Sequence, residues 1–174
     1  NPRGFYSITA RAREQLLISY CETFGLKYKI LRLANVMGWR DSKSSSQKNA
    51  IQWLMDKVLH NEPVELYDNG NVYREIIDVR DCAQAINFAM LNNSYTLYNI
   101  SNGKSTKVRD IIQHTIDYSG SKSTIWDNQH KPEFHSVVQA KNAFINNDRL
   151  KEIGYVPKYT INETIEAIVD QHKD

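Results

Sequence analysis

Along the first two dozen positions the apolar residues recur at helical spacing. Ala12, Leu16 and Tyr20 fall at i, i+4 and i+8, and Leu17, Cys21 and Phe24 extend the same stripe. This predicts a helix over about 7–23, closed by Gly25. From Lys27 to Leu33 the period drops to two: Tyr28, Ile30 and Arg32 face one way, Lys29, Leu31 and Leu33 the other, which predicts a strand with one well-buried end. The run 39–47 is polar and rich in Ser and Lys, hence a loop. Ala50, Ile51, Leu54, Met55, Val58 and Leu59 then trace a strong helix over about 47–60, ended by Asn61-Glu62-Pro63.

Further on, Val64–Tyr67 reads as a short strand and Asp68-Asn69-Gly70-Asn71 as a turn. Residues 74–79 form another strand, and a helix over 80–91 turns Cys82, Ile86 and Ala89 inward. Thr96–Ile100 is a strand followed by a turn at Ser101-Asn102-Gly103. Thr106 is the expected N-cap of a helix carrying Val108, Ile111, Ile112, Thr115 and Ile116. Residues 119–131 are mostly polar and carry no clear period, and 137–145 hold one or two irregular strands. Asn147-Asp148 caps a short helix to Ile153, stopped by Gly154, and Thr160 caps a last helix with Ile161, Ile165, Ile168 and Val169. Helices and short strands alternate throughout, so the class is α/β with a smaller α+β tail.

Composition narrows the partners. The 174 residues suit one domain. A net charge of +2 with mixed signs and no basic block argues against nucleic acid. No apolar run approaches the ~20 residues of a membrane helix, and no signal-peptide pattern opens the chain. Cys21 and Cys82 lie in helical patterns without disulfide or metal spacing, as expected of buried free thiols in the reducing cytoplasm. The five histidines show no metal spacing either. Asn1-Pro2-Arg3-Gly4-Phe5 runs straight into helix without an initiator Met, which suggests a fragment, a processed product or a truncation.

Five separate pieces, in order, resemble the extended short-chain dehydrogenase/reductase family, and within it the NAD-dependent nucleotide-sugar epimerases and dehydratases. Tyr6-Ser7-Ile8-Thr9 before a helix resembles the Tyr-x-x-x-Lys helix. Leu31 to Gly38 resembles the R-x-x-N-x-Y-G strand and loop. Pro63 to Tyr67, then Gly70, then Arg74 to Asp81 resembles the block that ends in R-D-y-I-h-V-x-D. Tyr98 to Gly103 resembles Y-N-I-g-x-G, and Leu150 to Tyr159 resembles the closing L-G-y-x-P. The resemblance implies that residues 1–174 form the C-terminal part of a Rossmann-type domain interleaved with a small α+β substrate-binding lobe. The glycine-rich phosphate loop and the N-terminal cofactor-binding half are absent, since the seven glycines form no G-x-x-G-x-x-G. NAD is expected in the intact parent, and no cofactor is expected to bind tightly to this chain alone.

The same resemblance assigns residues. Tyr6 stands at the catalytic base position. A phenol ordinarily titrates near pH 10, so it is a poor base at neutral pH unless its anion is stabilised. In the family a Lys four residues on supplies that charge and holds the nicotinamide ribose, one helical turn placing both on one face. Here that position is Ala10, which does neither job, and Arg11 and Arg13 do not stand in its place. Arg74 is the candidate for the diphosphate of a nucleotide sugar, a guanidinium fork suiting that anion. Asn35 resembles the family Asn that bonds substrate near the diphosphate, although Asn is also a common loop residue. Lys48 and Asn49, at the head of a helix, read either as an anion site or as a solvated helix start. Leu66 and Tyr67 border the nucleotide base or serve core and edge packing. Asp81 reads as a structural carboxylate at a helix start.

The resulting expectation is an enzyme fragment, inactive alone, whose parent oxidises a UDP-, GDP- or dTDP-sugar with NAD and then epimerises or dehydrates it. Two other readings stay open: a non-catalytic nucleotide-sugar-binding or regulatory relative, and a dimerisation module pairing through the helix that bears Tyr6.

Overall fold

The computed structural model describes residues 4–39, 49–128 and 142–173. The helices are α1 (Phe5–Thr23), α2 (Ala50–Leu59), α3 (Val79–Leu91), α4 (Val108–Ser119), α5 (Asp148–Glu152) and α6 (Ile161–Lys173). The strands are β1 (Ile30–Leu33), β2 (Asn35–Met37), β3 (Val64–Tyr67), β4 (Tyr73–Asp78), β5 (Leu97–Ile100), β6 (Ser105–Lys107) and β7 (Ile125–Asn128).

The extended run after α1 changes partner at Ala34. Its first part, β1, pairs in parallel with β5, and its second part, β2, pairs in parallel with β4. Strand β4 also takes β6 on its other edge, antiparallel, with Arg74 opposite Thr106. A separate parallel pair joins β3 to β7. Parallel strands fed by helices place this chain in the α/β class, as the alternation of elements predicts.

Two apolar cores result. One joins Met37 and Ile76 to α2, β3, α4 and α6 through Leu54, Met55, Val58, Leu66, Ile111, Ile112, Ile165 and Val169. The other joins Ala34 and Ile77 to α3, β5, α5 and the segment after it through Cys82, Ala85, Tyr98, Ile100, Leu150 and Tyr155. Both cysteines are free and buried.

Four sequence expectations need correction. The apolar stripe of α1 does not pack inward: only Cys21 is buried, while Leu16, Leu17, Tyr20 and Phe24 are exposed because nothing among the described residues covers that helix. Thr106 is not an N-cap. It lies in β6, and α4 begins after Lys107 without a side-chain cap, its first amide instead donating to Val72 O at 3.0 Å. The helix expected from 47 is capped at Asn49 and runs from Ala50. The polar stretch after Ser119 contains β7, whose pairing with β3 supplies what periodicity could not show. Of the expected irregular strands over 137–145, residues 137–141 lie outside the described residues, and Asn142 makes a single bridge to Tyr73. Thr160 does cap α6: its N–H donates to Glu163 Oε2 at 2.7 Å and its Oγ accepts from Glu163 N at 3.2 Å.

Candidate functional site

Tyr6 and the pair Asn35 and Arg74 occupy two separate places. Tyr6 sits in the first turn of α1, which starts where Ser7 Oγ exchanges hydrogen bonds with the backbone of Gly4. Its side chain is 81% exposed. With Ala10, Arg13, Glu14 and Leu17 it lines an open groove of about 760 Å³ between α1 and the segment Lys29–Leu33. A bidentate pair spans the groove: Arg32 Nε donates to Glu14 Oε1 at 2.8 Å and Nη2 to Oε2 at 2.5 Å. The guanidinium holds the Glu14 carboxyl below its ordinary value despite some burial, and Glu14 raises Arg32 in return. Lys29 is engaged elsewhere, donating to Asn92 O and lying 5.5 Å from the centre of the Tyr98 ring. One turn after Tyr6, Ala10 lines the same groove with a methyl group.

The second place is β4 and its neighbours. Asn35 opens β2 and donates from Nδ2 to Glu75 O at 3.0 Å, so the structure brings Asn35 beside the strand that carries Arg74. Arg74 is half-buried, and its Nη1 donates to Tyr73 O at 2.8 Å. Burial pulls its guanidinium below its ordinary value. A partly desolvated cation of this kind interacts with an anion more strongly than an exposed one does.

The remaining candidates are spread out. Asn49 is the N-cap of α2: its Oδ1 accepts from Ile51 N and Gln52 N at 3.0 Å each, and its own N–H donates to Gln52 Oε1 at 2.8 Å. Leu66 is a core residue at 3% exposure, whereas Tyr67, next along β3, is partly exposed. Lys48 lies outside the described residues. Among the described residues no group of three or more His, Cys, Asp or Glu side chains could hold a metal, and no helix is long and apolar enough to cross a membrane.

The family profile of the NAD dependent epimerase/dehydratase family matches residues 1–101. The chain belongs to that family. Among curated relatives of this epimerase/dehydratase chain is a putative UDP-glucose 4-epimerase of Methanocaldococcus jannaschii, 28% identical over all of the chain and 55% of that protein. A dTDP-L-rhamnose 4-epimerase of Burkholderia thailandensis is 26% identical over 69% of the chain and 34% of that protein. Among solved structures, the Thermus thermophilus UDP-glucose 4-epimerase in complex with NAD superposes with a TM-score of 0.85 at 23% identity, over 99% of the chain and 55% of its own length. The Thermotoga maritima UDP-glucose 4-epimerase with UDP-glucose gives 0.83 at 23% identity, over 97% of the chain and 53% of its own. Such likenesses show the fold, and the chain spans about half the length of the first relatives it matches.

The sequence reading gave no role to Glu75 or Asp78, and Asn147, expected to cap α5, holds the N-cap position without a side-chain cap bond, its Nδ2 donating to Ser101 O instead. Glu75 stands where the family block has Asp and is 1% exposed. An acidic residue immediately before the apolar pair Ile76-Ile77, within a predicted strand, was the available signal. Asp81, read as structural, is so in a way its position did not reveal. Asp78 caps α3 instead, accepting from Arg80 N at 2.8 Å, while Asp81 binds Tyr155, Lys158 and Tyr159 far along the chain.

Proposed function

We propose that this chain is the nucleotide-sugar recognition part of an NAD-dependent epimerase/dehydratase, carrying the position of the catalytic Tyr at Tyr6 but unable to run the redox step. The placement of Arg74 carries the recognition half of the reading. It is a half-buried guanidinium on β4, next to Asn35 on the adjoining strand, in a chain whose family relatives include UDP- and dTDP-sugar epimerases. A planar fork of donors matches two phosphate oxygens. Tyr67, at the exposed end of β3, borders the base, while buried Leu66 supports it from the core. Asn49 heads α2, but its Oδ1 already takes the amides of Ile51 and Gln52, so no anion is assigned to that helix start.

The residues present do not fit a dinucleotide. A pyrophosphate cradle needs glycines at a strand-to-helix turn. Among the described residues the glycines with positive φ follow helices or sit singly in turns: Gly25, Gly38, Gly70, Gly103, Gly120 and Gly154. No step through NAD is therefore assigned to this chain. Tyr6 also lacks the ammonium that would stabilise its phenolate, because Ala10 stands one turn away. Its setting is a reducing cytoplasm, consistent with two free cysteines.

Calorimetry tests the recognition half. UDP-glucose, dTDP-glucose and GDP-mannose are titrated into the wild-type chain and into Arg74→Ala. Binding of one of them, weakened by about 2 kcal/mol or more in Arg74→Ala, supports the reading. No binding by the wild type removes it.

The Ala10 position favours a second reading, a relative that recognises nucleotide sugars without turning them over. Introducing Ala10→Lys into the complete reading frame that contains this chain separates the two. Turnover gained with Lys shows an enzyme disabled at one position. Binding without turnover in both forms shows a non-catalytic relative. The exposed outer face of α1, with Phe5, Leu16 and Tyr20, suits self-association in either case.

A further inference from the structure

Strand β4 is gripped by a segment from far along the chain. Asn142 bridges to Tyr73 in parallel register, its Oδ1 accepting from Tyr73 N at 3.3 Å, and Ala143 N donates to Tyr73 O at 3.2 Å. Two residues further, Ile145 N donates to Glu75 Oε2 at 2.7 Å. The other oxygen, Oε1, accepts from Gly103 N at 2.9 Å. One buried carboxylate thus ties two loops, 28 and 70 residues away, to the strand that bears Arg74. The backbone of the same residue is fixed by Asn35 Nδ2.

The loops are locked to each other as well. Ser101 Oγ donates to Ile145 O at 3.3 Å, Asn147 Nδ2 donates to Ser101 O at 3.0 Å, and Ser105 Oγ donates to Ala143 O at 2.7 Å. Gly103 lies so close to Asn147 that a Cβ there would meet its carboxamide at 2.9 Å.

Burying a carboxylate is costly, and a well-packed neutral side chain often serves stability as well or better. What charge provides is short, directional bonds to two donors at once. Side chains alternate along a strand, so Arg74 leaves β4 on the face opposite Glu75. Fixing Glu75 on one face therefore fixes the direction of Arg74 on the other.

We propose that Glu75 is a positioning residue for phosphate recognition: its carboxylate clamps the 142–147 segment and the 101–103 turn against β4 and so sets the direction in which Arg74 presents its guanidinium. The proposal rests on the recognition role given to Arg74 above, and the experiment separates the two. UDP-glucose is titrated by calorimetry into the wild type, Arg74→Ala, Glu75→Ala, Glu75→Gln and Glu75→Asp, each below its own melting transition. Uridine, which lacks the diphosphate, is titrated by NMR into the same proteins. Glu75→Ala is expected to weaken UDP-glucose about tenfold or more while leaving uridine unchanged, since misdirecting one binding group disables that group alone. Glu75→Asp and Glu75→Gln, each able to serve one of the two donors, fall between Ala and wild type. If Glu75→Ala does not fold, Glu75→Gln carries the test, with the same split between ligands expected at smaller size. UDP-glucose affinity unchanged in the folded Glu75 variants, or an equal loss for uridine, overturns the proposal. Binding lost in Arg74→Ala but kept in Glu75→Ala sinks Glu75 alone. No binding by the wild type, or full binding by Arg74→Ala, sinks the reading of Arg74 and this proposal with it.

Discussion

Replacing Asp81 by Ala should destabilise the chain more than any exposed substitution on it. Asp81 is 0% exposed. Its Oδ1 accepts from Tyr155 Oη and Lys158 N at 3.0 Å each, and its Oδ2 accepts from Lys158 N at 3.0 Å and Tyr159 N at 2.9 Å. Burial, then the bond to Asp81, push the Tyr155 phenol above its ordinary value, so it remains a donor at neutral pH. Truncation leaves Tyr155 one acceptor, the carbonyl of residue 81 at 2.8 Å, but strands the amides of Lys158 and Tyr159. Each stranded donor costs about 1–3 kcal/mol, more where the lost acceptor was charged. Relief of the desolvated carboxylate offsets part of this, which leaves a loss of about 3 kcal/mol. For a chain of this length that is a fall in Tm of roughly 6–12 °C. Urea denaturation followed by circular dichroism gives the free energy directly. A loss below about 1 kcal/mol would refute the view that this carboxylate ties the C-terminal segment to α3.

The other predictions concern separate features. Gly70→Ala places a Cβ 2.9 Å from both Arg109 N and Leu66 Cδ1 at φ +69°, so a loss of about 2–3 kcal/mol is expected in the same urea assay. Burial works to raise the Asp78 carboxyl, but the bonds from Arg80 and Thr164 outweigh it and hold it below its ordinary value. Its contribution is thus fully present above about pH 4 and is lost as pH falls through the lowered folded value, so Asp78→Asn should flatten the acid limb of a stability–pH curve and lower stability at pH 7. Leu16→Glu combined with Tyr20→Glu, on positions 70% and 59% exposed, should leave Tm within about 2 °C and abolish any self-association seen by sedimentation. A marked drop in Tm would show that this face is covered within the chain.

The strongly periodic elements were legible because burial on one side imposes a period, as the α2 stripe through Ile51, Leu54, Met55 and Val58 shows. Where one residue serves two demands, pattern reading failed. Thr106 has the chemistry of a cap, yet its backbone is needed opposite Arg74 in β6. Strand β7 was hidden because Trp126 and Asp127, which point to opposite sides, are both exposed, so burial imposes no alternation there. Asn35 and Arg74 were found through motif order and do stand on neighbouring strands. Glu75 was missed because its two partners, Gly103 and Ile145, are amides of distant loops, and a backbone donor leaves no mark in a sequence.

The α1 stripe bears on how firmly Tyr6 and Arg74 are each held. Its heptad-like pattern is that of a buried helix, but only Cys21 is covered. What holds α1 to the sheet side is chiefly the Glu14–Arg32 pair, with Arg32 41% exposed along its side chain. A pair this open to solvent contributes about 1 kcal/mol or less, and the packing of an apolar face that stabilises most protein helices is limited here to Cys21. The position of Tyr6 is therefore weakly determined by this stretch of chain. Arg74 is different: β4 is paired on both edges, carries core residues Ile76 and Ile77, and is clamped through Glu75. Proton transfer needs a base held within hydrogen-bond reach of its target, whereas binding a diphosphate needs a fixed cation. Among the described residues the second requirement is met at Arg74, which β4 holds firmly, and the first is not met at Tyr6, whose helix is only loosely held.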